Sequence, residues 1–125
     1  MKVTTRAVRV LIVDDQETFR SAARLVVELA DGFELAGEAT TGEEGVDLAR
    51  DLEPDLVLMD INMPGIDGLE ATRRIVAERP HVQVVVLSTY EATEYEATAL
   101  GAGARAFLSK SDFAPDTLAS VWGAA

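Results

Sequence analysis

Short runs of Val, Ile and Leu alternate along the chain with segments whose apolar residues recur at helical spacing. The runs are Val8 to Val13, Phe33 to Ala39, Leu56 to Met59, Val82 to Leu87 and Ala104 to Leu108. Nearly continuous apolar runs of this length, most of them separated by helix-period segments, predict strands of a parallel α/β sheet. After the first run, Phe19, Ala22, Ala23, Val26, Val27 and Ala30 form an i, i+3, i+4, i+7 stripe, which predicts a helix ending near Asp31-Gly32. Gly42 to Leu52 predicts a second helix with Val46, Ala49 and Leu52 inward, stopped by Pro54. A loop dense in Pro, Gly, Asn and Asp, Ile61 to Gly68, precedes a third helix carrying Leu69, Ile75 and Val76. A fourth helix is expected from about Glu91 to Leu100, with a weak stripe of Ala92, Tyr95 and Ala99 that suits a mobile element or a contact face. The last helix is expected between about Asp112 and Trp122, with Pro115 in its first turn and Leu118, Val121 and Trp122 on one face.

This alternation predicts a doubly wound sheet of five parallel strands in the order 2-1-3-4-5, with helices on both faces. Residues 1–125 read as one domain with its core at about 8–122, since the length suits a single core and no repeat or linker interrupts it. In open parallel sheets ligands bind outside the carboxyl ends of the strands. Asp14 and Asp15 follow the first run, Asp60 and Asn62 the third, Ser88 the fourth and Lys110 the fifth. All six fall at such ends.

Charge and composition narrow the function classes. Lys and Arg number 11 against 22 Asp and Glu, a net charge of -11, which disfavours direct contact with nucleic acid or an anionic membrane. Cysteine is absent, which excludes disulfides and is compatible with a reducing cytoplasm. No apolar stretch approaches the ~18 residues of a membrane span, and the first residues lack the apolar core of a signal peptide.

Asp14, Asp15 and Asp60 offer carboxylates suited to Mg²⁺, which prefers oxygen ligands and keeps positions for water and phosphate. Crowded without a cation, they would repel one another and raise a pKa. Asp60, at the centre of the sheet, is the candidate nucleophile toward a phosphoryl group. Lys110 supplies positive charge, Ser88 a hydroxyl donor, and the main-chain carbonyl of Asn62 a further metal ligand. Alone, Asp14-Asp15 reads as a helix cap, Asp60 as a turn former, Ser88 as uninformative and Lys110 as a solvated charge. Their joint placement on the strand ends is what points to a phosphoryl-receiving magnesium site. Gly101 to Ala106 matches G-x-G-x-x-A but precedes a strand, so a dinucleotide site is not expected. His81 is expected in an exposed loop, and Trp122 in core packing or a partner contact.

With these residues in place, the chain closely resembles the receiver domain of bacterial two-component response regulators over residues 8 to 122. The resemblance is carried by Val10 to Asp15, Pro54 to Asp60 with Met63-Pro64-Gly65 and Asp67-Gly68, Val86-Leu87-Ser88, and Phe107-Leu108-Ser109-Lys110. Asp15-Gln16, Gly37-Glu38-Ala39 and Gly68 to Arg73 resemble the NarL/LuxR-type subfamily, whose receivers precede a helix-turn-helix. The resemblance implies that Asp60 is the phosphoacceptor, that Asp15, Asp60 and the Asn62 carbonyl ligate Mg²⁺ directly, and that Asp14 does so largely through water. It makes Ser88 and Phe107 the switch pair and Lys110 the phosphoryl-binding ammonium. Two positions depart from the pattern: Ser111 where many receivers have proline, and Arg105 where the subfamily often has glycine.

The implied function is a phosphorylation-gated signalling module rather than an enzyme with an external substrate, taking its phosphoryl group from a sensor histidine kinase in the cytoplasm. Transcription regulation is the expected outcome, through a helix-turn-helix output domain absent from this chain or through a partner, with a homodimer expected on phosphorylation. A Mg²⁺-dependent phosphohydrolase working through an aspartyl phosphate is the alternative, though Asn62 stands where such an enzyme would want a second carboxylate. A phosphorylation-independent interaction domain is a third reading, against which the intact acid set argues.

Overall fold

The computed structural model describes residues 6–89 and 93–123. Five parallel strands, β1 (Val8–Val13), β2 (Phe33–Ala39), β3 (Leu56–Asp60), β4 (Gln83–Ser88) and β5 (Ala106–Ser109), form one sheet in the order β2-β1-β3-β4-β5. The helices are α1 (Glu17–Leu29), α2 (Gly42–Leu52), α3 (Gly68–Glu78), α4 (Thr93–Gly101) and α5 (Pro115–Gly123). The predicted sheet and its order are therefore present.

Side-chain alternation along the strands separates two cores. Leu11, Val13, Val57, Met59, Val84 and Val86 point to one face, where Val46, Ala49, Ala71, Ile75 and Ala99 cover them. Val10, Ile12, Leu56, Leu58, Val85 and Leu87 point to the other, against Ala23, Val27 and Leu118. Because β1, β3 and β4 are covered on both sides, their apolar runs are nearly unbroken, which is why the sequence pattern was readable. Each fully buried aliphatic side chain contributes about 1.5–3 kcal/mol of transfer free energy.

Three element ends differ from expectation. The fifth strand starts at Ala106 instead of Ala104, because the N–H of Ala104 is still bonded to the carbonyl of Ala99, closing α4, and Gly103 turns with φ +108°. The last helix starts at Pro115; Lys110–Asp112 form a separate 3-10 turn, and the Thr117 hydroxyl bonds back to the Asp112 carbonyl at 2.6 Å. In α4, Tyr95 is exposed, so it does not join Ala99 inward as the weak stripe suggested, and the expected contribution of Glu91 and Ala92 lies outside the described residues. Ala22 also faces outward on α1. Trp122 is half-buried and packs on the α1 and α5 side, which favours its core reading, and His81 is exposed as expected.

Arg105 has a structural use that the sequence did not reveal. Its guanidinium donates to carbonyls in the last turn of α5, Val121 at 3.0 Å and Trp122 at 3.1 Å, and its main-chain N–H bonds to the Val84 carbonyl at 2.7 Å. A cation at a helix carboxyl end complements the orphan carbonyls there. No cis peptide bond occurs among the described residues, the Lys110-Ser111 bond included.

Candidate functional site

At the carboxyl end of β1 the chain leaves the sheet through Asp14 and Asp15. The Asp14 N–H still bonds to the Ala39 carbonyl of β2 at 3.0 Å, and its Oδ1 accepts from the Gln16 N–H at 2.8 Å, an Asx turn into α1. This buries the Asp14 carboxyl almost completely, whereas Asp15 is exposed. Asp60 is the last residue of β3, is only 4% exposed and pairs in register with Leu87 of β4. Each of the three aspartates offers an oxygen, and these oxygens lie within 4.8 Å of one another.

Lys110, just past β5, reaches across this group. Its ammonium is 2.6 Å from Asp14 Oδ2 and 3.4 Å from Asp60 Oδ1. It also sits 4.4 Å from the centre of the Phe19 ring, a cation-π contact that sequence reasoning missed. Phe19 stands in the first turn of α1, four residues after Asp15, and nothing in its spacing points to Lys110. The Phe113 ring lies 6.1 Å from the Phe19 ring, tilted by 45°.

Three carboxylates against one ammonium leave an excess of negative charge, and of these groups Asp14, Asp60 and Lys110 are nearly buried. Burial above all, then the Asp14 charge, pushes the Asp60 carboxyl up to about 6 from 3.8, against the pull of Lys110 and of the Asn62 main-chain N–H that bonds to it. Asp14 Oδ2 is buried and, despite the close ion pair, has no well-directed hydrogen bond among the described residues. A divalent cation with hard-ligand preference fits this donor set: it would take the unsatisfied lone pairs and relieve the repulsion. The residues present therefore suit Mg²⁺.

The other expected site residues fall around this centre. Ser88 is buried at the end of β4, one residue beyond the partner of Asp60, and Ser109 lies opposite it on β5. Asn62 lies two residues past Asp60 in the loop after β3, with its side chain exposed. Phe107 is half-buried on β5, pairs with Val86 and packs on the core that holds Ala99 of α4, one strand away from the acids. It is not part of the acidic centre.

The loop from 61 to 67 is held from below and from the side. A Cβ built on Gly68 would lie 2.0 Å from the Asp60 carbonyl oxygen, so α3 can begin against the end of β3 only with glycine there. Asp67 caps α3 by accepting from the Glu70 N–H at 2.9 Å, and the Thr72 hydroxyl bonds to the Gly68 carbonyl. From α2, the Glu43 carboxylate accepts from the Ile66 N–H at 3.3 Å and fills the space beside Gly65, whose φ is +80°. Glycine's freedom is required at both positions.

Comparison with known proteins agrees with this geometry. The family model described as "Response regulator receiver domain" matches residues 10–121. The chain is similar to the response regulator GacA of Pseudomonas viridiflava, 41% identical over 103 residues covering 82% of this chain and 48% of that protein. It is similar to the transcriptional regulatory protein DegU of Brevibacillus brevis, 35% identical over 109 residues, 87% of this chain and 46% of that one. The chain thus spans about half the length of these curated relatives. Among solved structures, a LuxR-family two-component response regulator from Aurantimonas sp. SI85-9A1 superposes with a TM-score of 0.83 at 29% identity, covering 91% of this chain and 81% of that one.

Proposed function

The chain belongs to the response regulator receiver domain family of two-component systems, and from that premise we propose that Asp60 is its phosphoacceptor, served by a sensor histidine kinase. The observation that carries this is the meeting of Asp14, Asp15 and Asp60 oxygens within 4.8 Å, with the Lys110 ammonium between two of them. An Asp60 carboxylate oxygen attacks the phosphorus of a phosphohistidine. The P–O bond forms as the P–N bond breaks, and the nitrogen keeps the electron pair and takes a proton. Mg²⁺ would be held by Asp15, Asp60 and the Asn62 carbonyl, with Asp14 acting through water, and would supply charge neutralisation for the phosphoryl oxygens. Lys110 turns from its carboxylate partners to the transferred group, and Ser88 donates its hydroxyl to it. At pH 7 a group with a pKa of about 6 is mostly ionised, so Asp60 is available as a nucleophile.

Signalling follows from the same arrangement. Ser88 and Phe107 couple the phosphoryl group to the face made by α4, β5 and α5, by a shift between two existing states. That face presents Tyr95, 42% exposed, and we assign it to self-association of the phosphorylated form. Sedimentation with Mg²⁺ and beryllofluoride tests this; an unchanged monomer over a wide concentration range would refute it. The response is transcription regulation, as the name of the DegU relative suggests, through a helix-turn-helix output domain or a partner, and the site of action is the cytoplasm. Among the described residues no helix is long and apolar enough to cross a membrane. The charge of -11 keeps the receiver itself off nucleic acid.

Incubation with a small acyl phosphate separates this reading from its rivals. Mg²⁺-dependent labelling that plateaus at one phosphoryl group per chain supports a receiver. Sustained turnover of a phosphate monoester would support the phosphohydrolase, and no labelling at all would leave a phosphorylation-independent interaction domain. Asp15→Ala is expected to weaken Mg²⁺ binding, since a direct ligand is lost; unchanged affinity would contradict the ligand set.

A further inference from the structure

Gly37-Glu38-Ala39 takes no part in the chemistry above, yet Glu38 is tied toward the acidic centre. Its carboxylate accepts from Arg24 twice, Nε to Oε2 at 2.9 Å and Nη2 to Oε1 at 3.1 Å, and lies 3.5 Å from Arg20 Nε. The Arg20 side chain is only 15% exposed, and its Nη1 donates to the main-chain carbonyl of Asp14 at 2.8 Å. That carbonyl belongs to the peptide joining Asp14 to Asp15. The Asp15 carboxylate has no hydrogen bond or ion pair among the described residues, so the backbone beneath it is what aims it. Asp14 is fixed twice more, through Ala39 and Gln16, but neither bond restrains the carbonyl side of its peptide.

We propose that Arg20, braced by Glu38, is a positioning residue for the magnesium site: it fixes the Asp14-Asp15 peptide and through it the direction of the Asp15 carboxylate. This rests on the magnesium reading of the site. The arrangement explains why α1 spends a largely buried arginine close to where a cation is to bind. By charge alone, Arg20 opposes Mg²⁺, so removing it should tighten binding if only the field mattered. Removing a geometric brace should loosen it, and outer partners of metal ligands commonly contribute tenfold or more. The two accounts differ in sign. Arg24 provides the control, because it holds Glu38 more closely than Arg20 does but makes no bond to Asp14.

The test is an amide-shift NMR titration with Mg²⁺ alone, following Asp15 and Gln16, on the wild-type chain and its variants. Arg20→Met and Arg20→Lys are expected to raise the dissociation constant by about tenfold. Lysine keeps the charge and loses the fork that reaches both Glu38 and the carbonyl, so it carries the test should the methionine variant unfold. Arg24→Met is expected not to weaken Mg²⁺ binding, whatever it does to thermal stability. Glu38→Gln is expected to weaken binding in the wild-type background and to add nothing in the Arg20→Met background, because it acts through Arg20. Equal or tighter binding by both Arg20 variants, or an equal effect of Glu38→Gln in both backgrounds, would overturn the positioning role while leaving the magnesium site standing. Failure of the wild-type chain to bind Mg²⁺ would instead overturn the site itself.

Discussion

The helices α3 and α4 flank the same end of the sheet, on either side of β4, but they are built on opposite terms. α3 starts with a side-chain cap from Asp67, is locked to the end of β3 through Gly68, and buries Gly68, Ala71, Thr72 and Ile75. Of residues 95–101 of α4, only Ala99 is buried, and Tyr95 and Leu100 stand in solvent. One helix is locked to the strand that carries Asp60; the other buries a single side chain among residues 95–101. A receiver needs both, because the phosphoacceptor must be pre-positioned while the surface that reports on it must be able to change. Stability is thus distributed by task.

The sharpest way to expose the difference is a methyl group on each side. Gly68→Ala is expected to cost about 3 kcal/mol, because the added Cβ meets the Asp60 carbonyl, which is backbone and cannot yield. Chemical denaturation measures it; a loss under about 1 kcal/mol would mean that the end of β3 is adaptable after all.

The acidic centre should itself be a stability cost when no cation is bound. The folded pKa of Asp60, about 6, lies above the unfolded value of 3.8, so the stability associated with its protonated form is present below about pH 4 and is lost as pH rises through 6. Asp60→Asn in EDTA at pH 7 is therefore expected to be more stable than wild type by roughly 1–2 kcal/mol, less than the full shift would give because solvent reaches the rim of the site. Its melting temperature should also lose the pH dependence between 4 and 6. A destabilised variant would place the strain elsewhere.

Hydrogen exchange reads the comparison directly. Amides in the second half of α4 are expected to exchange at least about tenfold faster than those of α3 in the unphosphorylated protein, equivalent to ~1.4 kcal/mol of easier opening. Equal protection would remove the asymmetry. The smallest effect belongs to Gly101→Ala, at the end of α4, where a Cβ meets nothing within 4 Å. It should stabilise by ~0.5 kcal/mol through the unfolded chain, and phosphorylation-dependent association would weaken if α4 has to stay loose.

The sheet and most of the site were legible in the sequence for a physical reason. Strands buried on both faces write long apolar runs, and the residues that end them stand where ligands bind; Asp14, Asp60, Ser88 and Lys110 were placed that way. What escaped was set by tertiary contact. The start of β5 moves on to Ala106 because a main-chain bond from Ala104 to Ala99 and the turn at Gly103 decide it, and neither leaves a side-chain pattern. The Arg20 bond to a carbonyl, the Phe19 ring under Lys110 and the Arg105 clamp on α5 join residues far apart in sequence or use main-chain acceptors. Periodicity carries no information about such pairs. Tyr95 stands in solvent although its helical spacing from Ala99 would also let it face the sheet, and that exposure suits α4 as a contact face.

The central claim is that one particular carboxylate at the end of β3 receives the phosphoryl group. Labelling the chain with acetyl phosphate, reducing the acyl phosphate with borohydride and locating the modified residue by mass spectrometry tests it most directly. The account predicts modification at Asp60 alone, dependent on Mg²⁺ and absent in Asp60→Asn. Modification at Asp14, Asp15 or another residue of the wild-type chain, or undiminished labelling of the Asp60→Asn variant, would contradict it.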